Sequence, residues 1–174
     1  MSHSAFPQLN TQRLILRDTL ATDWQAISHL RSDSTINQFI KRPSAHTQAE
    51  AMAFIHKVQK GFREQSITYW AITQKPAEEM IGSICLWNFS ADRKQAEVGY
   101  DLMTAAQGKG IMSEALAEIL RYGFQTLQLE VIEAYTQFQN TPSRKMLERH
   151  GFVLATGSRD ASNPDNVIYK RSSI

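Results

Sequence analysis

One segment constrains the chain more than any other. From Gln107 to Ala115 it reads Gln-Gly-Lys-Gly-Ile-Met-Ser-Glu-Ala, a glycine-rich turn set directly before an apolar-periodic stretch. Gly108 and Gly110 lack Cβ atoms, so the backbone there can adopt unusual dihedrals and approach an anion closely. The first N–H groups of the following helix have no partner within the helix, and its dipole adds attraction. Such a turn predicts a phosphate clamp and requires a strand–turn–helix unit around it. Upstream, Ala96 to Met103 reads as a strand interrupted by Gly99, which suggests a bulge or a close backbone approach. Downstream, Ser113 to Leu127 carries Leu116, Ile119, Leu120, Phe124 and Leu127 at helical spacing, and Val131 to Phe138 reads as a second strand.

Two nucleotide motifs fit poorly. A P-loop needs a glycine five residues before the Gly-Lys pair and a Ser or Thr after the lysine, but Met103 and Gly110 occupy those places. The dinucleotide pattern G-x-G-x-x-G is met by Gly108 and Gly110 but finds Ser113 third, and its glycines start several residues beyond the strand. Glu133 lies at about the right distance for a ribose contact but sits inside the next strand, so this remains the weaker alternative.

The segment Gln107-Gly-Lys-Gly110-Ile-Met112 resembles the Q/R-x-x-G-x-G/A pyrophosphate motif of the GNAT N-acetyltransferase superfamily. Three further segments resemble its ribosomal-protein N-terminal (Rim-type) branch in matching order: Leu9 to Asp18, Glu97-Val-Gly-Tyr100, and Asn140-Thr-Pro-Ser143 running to Gly151-Phe152. Met112 stands in place of a small residue, Ala106 where an aromatic is common, and Asp101 where the branch more often has an uncharged or aromatic residue. None of these removes a backbone donor, and Asp101 bears on the acceptor more than on the fold.

The resemblance implies an α+β fold with a mixed, mostly antiparallel central sheet, flanking helices and two strands that splay apart to admit the pantetheine arm of acetyl-CoA. It implies coenzyme contacts at Val98, Gly99, Tyr100 and Leu102, and at Gln107, Gly108, Lys109, Gly110, Ile111, Met112 and Ser113. Asn140 would bind the pantetheine arm or hold the strand-to-helix turn. Lys109, Arg144 and Lys145 are candidate phosphate contacts, though surface solvation explains each nearly as well. Glu97 matches the branch's proposed base, against a plain reading as a solvated strand glutamate. Ser143 matches its proposed general acid, against a reading as a first-turn serine that satisfies backbone donors. No metal takes part. The expected activity is direct acetyl transfer to a primary amine, such as a protein N-terminus or a small molecule. A coenzyme-binding module without turnover is the alternative, which the presence of both Glu97 and Ser143 disfavours.

Composition agrees with a compact enzyme. The chain has 174 residues, 42% of them hydrophobic, enough for one domain with a substantial core. Cys85 has no cysteine partner and reads as a small core residue of a protein kept in a reducing, cytoplasmic setting; a catalytic thiol would need an electropositive neighbourhood. The N-terminal MSHSAFPQLN has neither a basic nor a long apolar region, and no run reaches about 18 apolar residues, so neither export nor membrane insertion is expected. A net charge of +2 with interspersed signs gives no basic footprint for nucleic acid. Five scattered histidines show no metal-ligand spacing, and a homodimer is left open.

The rest of the chain reads as strand Arg13 to Asp18, helix Asp23 to Arg31, a second helix opened by the capping box Thr47-Gln-Ala-Glu50 and running to about Phe62, and strands Ile67 to Thr73 and Met80 to Asn88. Thr141 is expected to cap a short helix that Gly151 stops, followed by strands near Phe152 to Ser158 and Val167 to Arg171. Tyr135 reads as a packing residue first and a catalytic one second, since it precedes the turn on the second splayed strand, while Trp70, Trp87 and Phe89 read as core first and walls of an acceptor pocket second.

Overall fold

The computed structural model describes residues 5–174, so the reading of the N-terminus lies partly outside the described residues. The elements in chain order are β1 (Leu9–Asn10), β2 (Leu14–Arg17), α1 (Trp24–Ser32), α2 (Gln48–Arg63), β3 (Ile67–Gln74), β4 (Met80–Trp87), β5 (Gln95–Leu102), α3 (Ile111–Arg121), β6 (Val131–Gln137), α4 (Thr141–Arg149), β7 (Val153–Leu154) and β8 (Asn166–Ser172). The strands form one sheet in the order β1-β2-β3-β4-β5-β6-β8-β7. Every described pairing is antiparallel except β5 with β6. This is the α+β architecture expected, with a mixed, mostly antiparallel sheet.

Side-chain alternation explains why the sheet carries helices on both faces. Along β3, Trp70 and Ile72 enter one core and Tyr69 and Ala71 the other, the period-2 pattern of a strand buried on both sides. Leu116, Ile119 and Leu120 of α3 and Met146 and Leu147 of α4 fill the first core; Ile27 and Leu30 of α1 and Ile55 and Val58 of α2 fill the second. Each such large aliphatic side chain contributes about 1.5–3 kcal/mol on burial. The capping box at α2 forms as read: Thr47 Oγ1 accepts from the Glu50 N–H at 3.1 Å, and Glu50 Oε2 accepts from the N–H groups of Thr47 at 3.1 Å and His46 at 2.7 Å.

Several local expectations need correction. β5 has no bulge at Gly99, since its register with β4 runs unbroken from Gly82↔Leu102 to Trp87↔Glu97; the irregularity lies between Ile72 and Thr73 in β3. Gly99 makes room instead: a Cβ there would stand 3.3 Å from Sγ of Cys85, its cross-strand partner. Helix α3 starts at Ile111 and gives way to a π-helical turn over Tyr122–Thr126, so the predicted helix was one periodic stretch with two windings. Asn140, not Thr141, caps α4, its side chain accepting from the Ser143 N–H at 3.3 Å. The strand expected near Phe152 to Ser158 contracts to β7.

Splaying occurs without a bulge. β5 and β6 pair only from Gln95↔Val131 to Val98↔Ala134. Beyond that point β5 stays with β4 as far as Leu102, while β6 stays with β8 as far as Gln137. Each strand follows its outer neighbour, and sheet twist carries the two apart. The result is a wedge whose β5 side is Gly99 to Leu102.

Among the described residues no helix is long and apolar enough to cross a membrane, and no group of three or more His, Cys, Asp and Glu side chains is placed to hold a metal ion.

Candidate active site

The glycine-rich turn follows the open end of β5. Gly108 and Gly110 both have φ +73°, the left-handed region that a Cβ disfavours. Gly110 is the N-cap of α3 and has no side chain to occupy the helix end, so the N–H groups of Ile111, Met112 and Ser113 lack a partner within the helix. Gln107, Gly108, Lys109 and Gly110 are exposed. The Gln107 side chain turns back and donates to the Leu102 carbonyl at 2.9 Å, which closes the loop from β5 to α3.

Residues near the N-terminus brace this turn, a function the sequence reading did not assign to them. Glu114, in the first turn of α3, accepts from the Thr11 hydroxyl at 2.6 Å, the Arg13 N–H at 2.8 Å and Arg13 Nε at 2.6 Å. Arg13 Nη1 also donates to the Lys109 carbonyl at 2.9 Å. Burial pushes the Glu114 carboxyl upward, but these hydrogen bonds outweigh it and hold the group below its usual range. The turn between β1 and β2 thereby fixes both ends of the glycine turn.

On the α3/α4 face of the wedge, Tyr100 and Ser143 come together. Their hydroxyl oxygens lie 2.7 Å apart, and Thr136 Oγ1 donates to Ser143 Oγ at 3.1 Å. Burial pushes the Tyr100 phenol up to about 12, with the Ser143 hydrogen bond opposing it, so it stays a neutral hydroxyl near neutral pH. Thr136 was missed by the sequence reading, although strand alternation places it on the same face as Ala134 and hence of Val98 and Tyr100. Arg144 is held by Tyr169 Oη at 3.0 Å and the Phe138 carbonyl at 2.9 Å, so in this arrangement it braces α4 against β8. Lys145 is exposed.

Glu97 lies on the opposite face. Burial, the largest cause, together with the Glu133 and Asp160 charges raises its carboxyl to about 7, with a hydrogen bond from Asn88 Nδ2 at 3.4 Å opposing them. Glu97 faces Trp87 across one ladder and Glu133 across the other. Glu133 pairs with Lys170 at 3.0 Å and accepts from Tyr135 Oη at 3.2 Å. Tyr135 is therefore half-buried beside the acidic group and not a core residue. Of the three other aromatics, Trp70 is fully buried and donates to the Pro7 carbonyl at 2.7 Å, Phe89 lies under the Arg93 guanidinium, and Trp87 is exposed beside Glu97.

Asp101, four residues beyond Glu97 on the same face of β5, is buried. It accepts from Ser83 Oγ at 2.5 Å, and its other oxygen lies 2.9 Å from Arg42 Nη1, a charge contact without hydrogen-bond alignment. The unusual charge after Tyr100 is thus neutralised inside the protein. Cys85 faces Gly99, and burial raises its thiol to about 12, which leaves little thiolate for chemistry near neutral pH.

The wedge is the feature that joins these parts. It opens the sheet between the Glu97 face and the Ser143 face, and the clamp stands at the end of β5 that borders it. Residues 13–153 match the family described as Acetyltransferase (GNAT) domain. The chain is 31% identical to the uncharacterized N-acetyltransferase p20 of Bacillus licheniformis over 83% of its own length and 81% of that protein. Its fold is shared with an acetyltransferase (GNAT family) from Bacillus anthracis, with TM-score 0.82, 22% identity and coverage of 96% and 99% of the two chains. It is also shared with RimL, a ribosomal L7/L12 alpha-N-protein acetyltransferase in complex with Coenzyme A, with TM-score 0.79, 20% identity and coverage of 93% and 95%. By family match and by the extent of its likeness to p20, this chain belongs to the GNAT family of N-acetyltransferases.

Proposed function

We propose that this acyltransferase moves an acetyl group from acetyl-CoA to a primary amine, with a protein or peptide N-terminus as the preferred acceptor. The carrying observation is the end of β5–β6 pairing at Val98↔Ala134, one residue beyond Glu97. A pantetheine arm can extend into this wedge and pair with the free edge of β5 at Gly99, Tyr100 and Leu102. The diphosphate then meets the main-chain N–H groups from Gly108 to Ser113, where positive-φ glycines let the backbone approach it. The coenzyme A complex of RimL supports this choice of donor.

The chemistry follows from what lies on each side. A neutral amine reaches the thioester from the Glu97 face, and the proton its nitrogen sheds as the bond to carbon forms passes to Glu97, directly or through an ordered water. Its nitrogen attacks the carbonyl carbon, and backbone N–H groups of β5 stabilise the oxyanion. Collapse breaks the C–S bond. Ser143 donates a proton to the departing sulfur and regains one from solvent by way of Tyr100 or Thr136, each of which ends the cycle protonated; a thiolate whose thiol has pKa about 8.5 leaves readily and asks little of its donor. The proton left on Glu97 returns to solvent, so the overall reaction releases coenzyme A and an amide.

An α-amino group, with pKa near 7.7–8.0, is easier to deprotonate than a lysine side chain near 10.4, and a base of pKa about 7 suits the former. The acidic surroundings of Glu97 also favour cationic small molecules such as polyamines, a second reading. The test is coenzyme A release by purified protein with acetyl-CoA and a panel of peptides, polyamines and aminoglycosides. Peptides with a free N-terminus should turn over, and the same peptides blocked at that position should not. Turnover confined to polyamines would transfer the assignment to the second reading, and no release with any amine would refute the proposal.

A further inference from the structure

Ser113, the third residue of α3, has its Oγ 2.7 Å from Nε2 of His150, the residue that caps the far end of α4. Helical side chains lean toward the helix N-terminus, so this hydroxyl lies over the turn where the first N–H groups of α3 open. A serine hydroxyl has one proton to give. If that proton goes to Nε2, the oxygen presents lone pairs to the helix end, which suits no anion. If Nε2 carries the hydrogen, Ser113 accepts from His150 and its own O–H turns free to donate to a phosphate oxygen. The histidine thus sets the polarity of a hydroxyl at the mouth of the clamp.

His150 is itself held in place. Arg171 of β8 donates from Nη1 to the His150 carbonyl, and a Cβ at Gly151 would lie 3.8 Å from the Arg171 guanidinium. The charged groups facing the ring are Arg171 from β8 and Arg149 from α4 itself, with Ser113 from α3 the polar contact. Burial, then these two arginines, hold the ring below the usual histidine range, so the free protein carries it neutral at pH 7. A diphosphate bound at this helix end would set negative charge against the two arginines and favour hydrogen on Nε2.

We propose that His150 is a positioning residue of the coenzyme site, donating from Nε2 to Ser113 so that the Ser113 hydroxyl turns toward the coenzyme diphosphate. This rests on the clamp reading of the glycine turn. Neither the glycine motif nor its family counterpart requires a histidine at this place; the assignment comes from the contact between two helix ends.

The test is calorimetric titration of coenzyme A into the unsubstituted chain and three variants. His150→Gln keeps an N–H donor at the ε position and should bind within about twofold of the unsubstituted chain. His150→Leu and Ser113→Ala each lose the redirected hydroxyl and should bind about tenfold more weakly, the loss of one hydrogen bond to a charged group. The Leu/Ala double variant should be no weaker than either single one. The 15N resonances of the His150 ring, assigned by their disappearance in His150→Gln, should move toward a hydrogen-bearing Nε2 on coenzyme addition. Equal weakening in His150→Gln and His150→Leu, wild-type affinity in His150→Leu, or an Nε2 without hydrogen in the coenzyme complex would overturn the assignment. Absence of any binding to the unsubstituted chain would instead overturn the clamp itself, so the two failures are distinct.

Discussion

Replacing Glu97 with glutamine tests the base assignment because the raised carboxyl makes a quantitative pH signature. With a value of about 7, the side chain is about ten-elevenths ionised at pH 8 and about one-eleventh at pH 6. If Glu97 accepts the amine proton, kcat at saturating acetyl-CoA and acceptor should fall about tenfold across that interval. Glu97→Gln should lower kcat by roughly 10²-fold at pH 8, near the low end for general base catalysis, and should leave coenzyme affinity unchanged. The assay is coenzyme A release from pH 5.5 to 9 with two acceptors of different amine pKa. A limb that belongs to Glu97 stays in place when the acceptor changes. A limb that travels with the acceptor's own pKa, or one that survives in Glu97→Gln, would refute the assignment. Stability offers an independent check of sign. The folded state holds the Glu97 proton more tightly than the unfolded chain, so this residue's contribution is most favourable below about pH 4.5 and is lost as pH rises toward 7. Thermal melts should therefore show Glu97→Gln gaining on the unsubstituted protein above pH 7 and matching it near pH 4.

Further perturbations separate the remaining parts. Lys170→Met removes the cation 3.0 Å from Glu133, leaves that carboxylate uncompensated beside Glu97, and should move the acid limb to higher pH in the same assay; an unmoved limb would uncouple the two carboxylates. Gly110→Val places a β-branched side chain at φ +73°, with its Cβ 3.4 Å from Arg13 Nη2, and should weaken coenzyme binding by more than tenfold in calorimetry, through strain of at least about 1–2 kcal/mol at the clamp. Ser143→Ala should lower turnover by roughly 10²-fold with coenzyme affinity nearly intact. Equal loss of turnover and affinity would make Ser143 structural. Thr136→Val, which removes only a neighbouring donor, should cost less turnover than Ser143→Ala.

What could be read from the chain was what depends on near neighbours. The capping box at Thr47 and Glu50, the positive-φ glycines at 108 and 110 and the amphipathic pattern of α3 are all local, and each appears in the structure where the residues indicated. Gly99 reads in the sequence as a bulge or as a place where something approaches closely, and only the second holds, because the room left by the missing Cβ is taken by Cys85 on another strand. Asn140 displaced Thr141 as the cap because the chain bends one residue earlier, and both residue types cap well. The brace from Thr11 and Arg13 to Glu114 spans about a hundred residues of sequence, so no local pattern announces it. Glu97 and Ser143 were named together, yet nothing in their spacing tells that they stand on opposite sides of a sheet. That follows from strand parity and from which strands meet.

This two-sidedness governs the order of events. On the proposed function, a thioester lying in the gap where β5 and β6 part company would bring the donor in beside the helix ends and leave the acceptor the opposite face, beside Trp87 and Tyr135. Neither needs to leave before the other arrives, and each product has a separate exit. Double-reciprocal plots should accordingly intersect, and a bulky amide product should be able to dissociate while the thiol carrier is still seated.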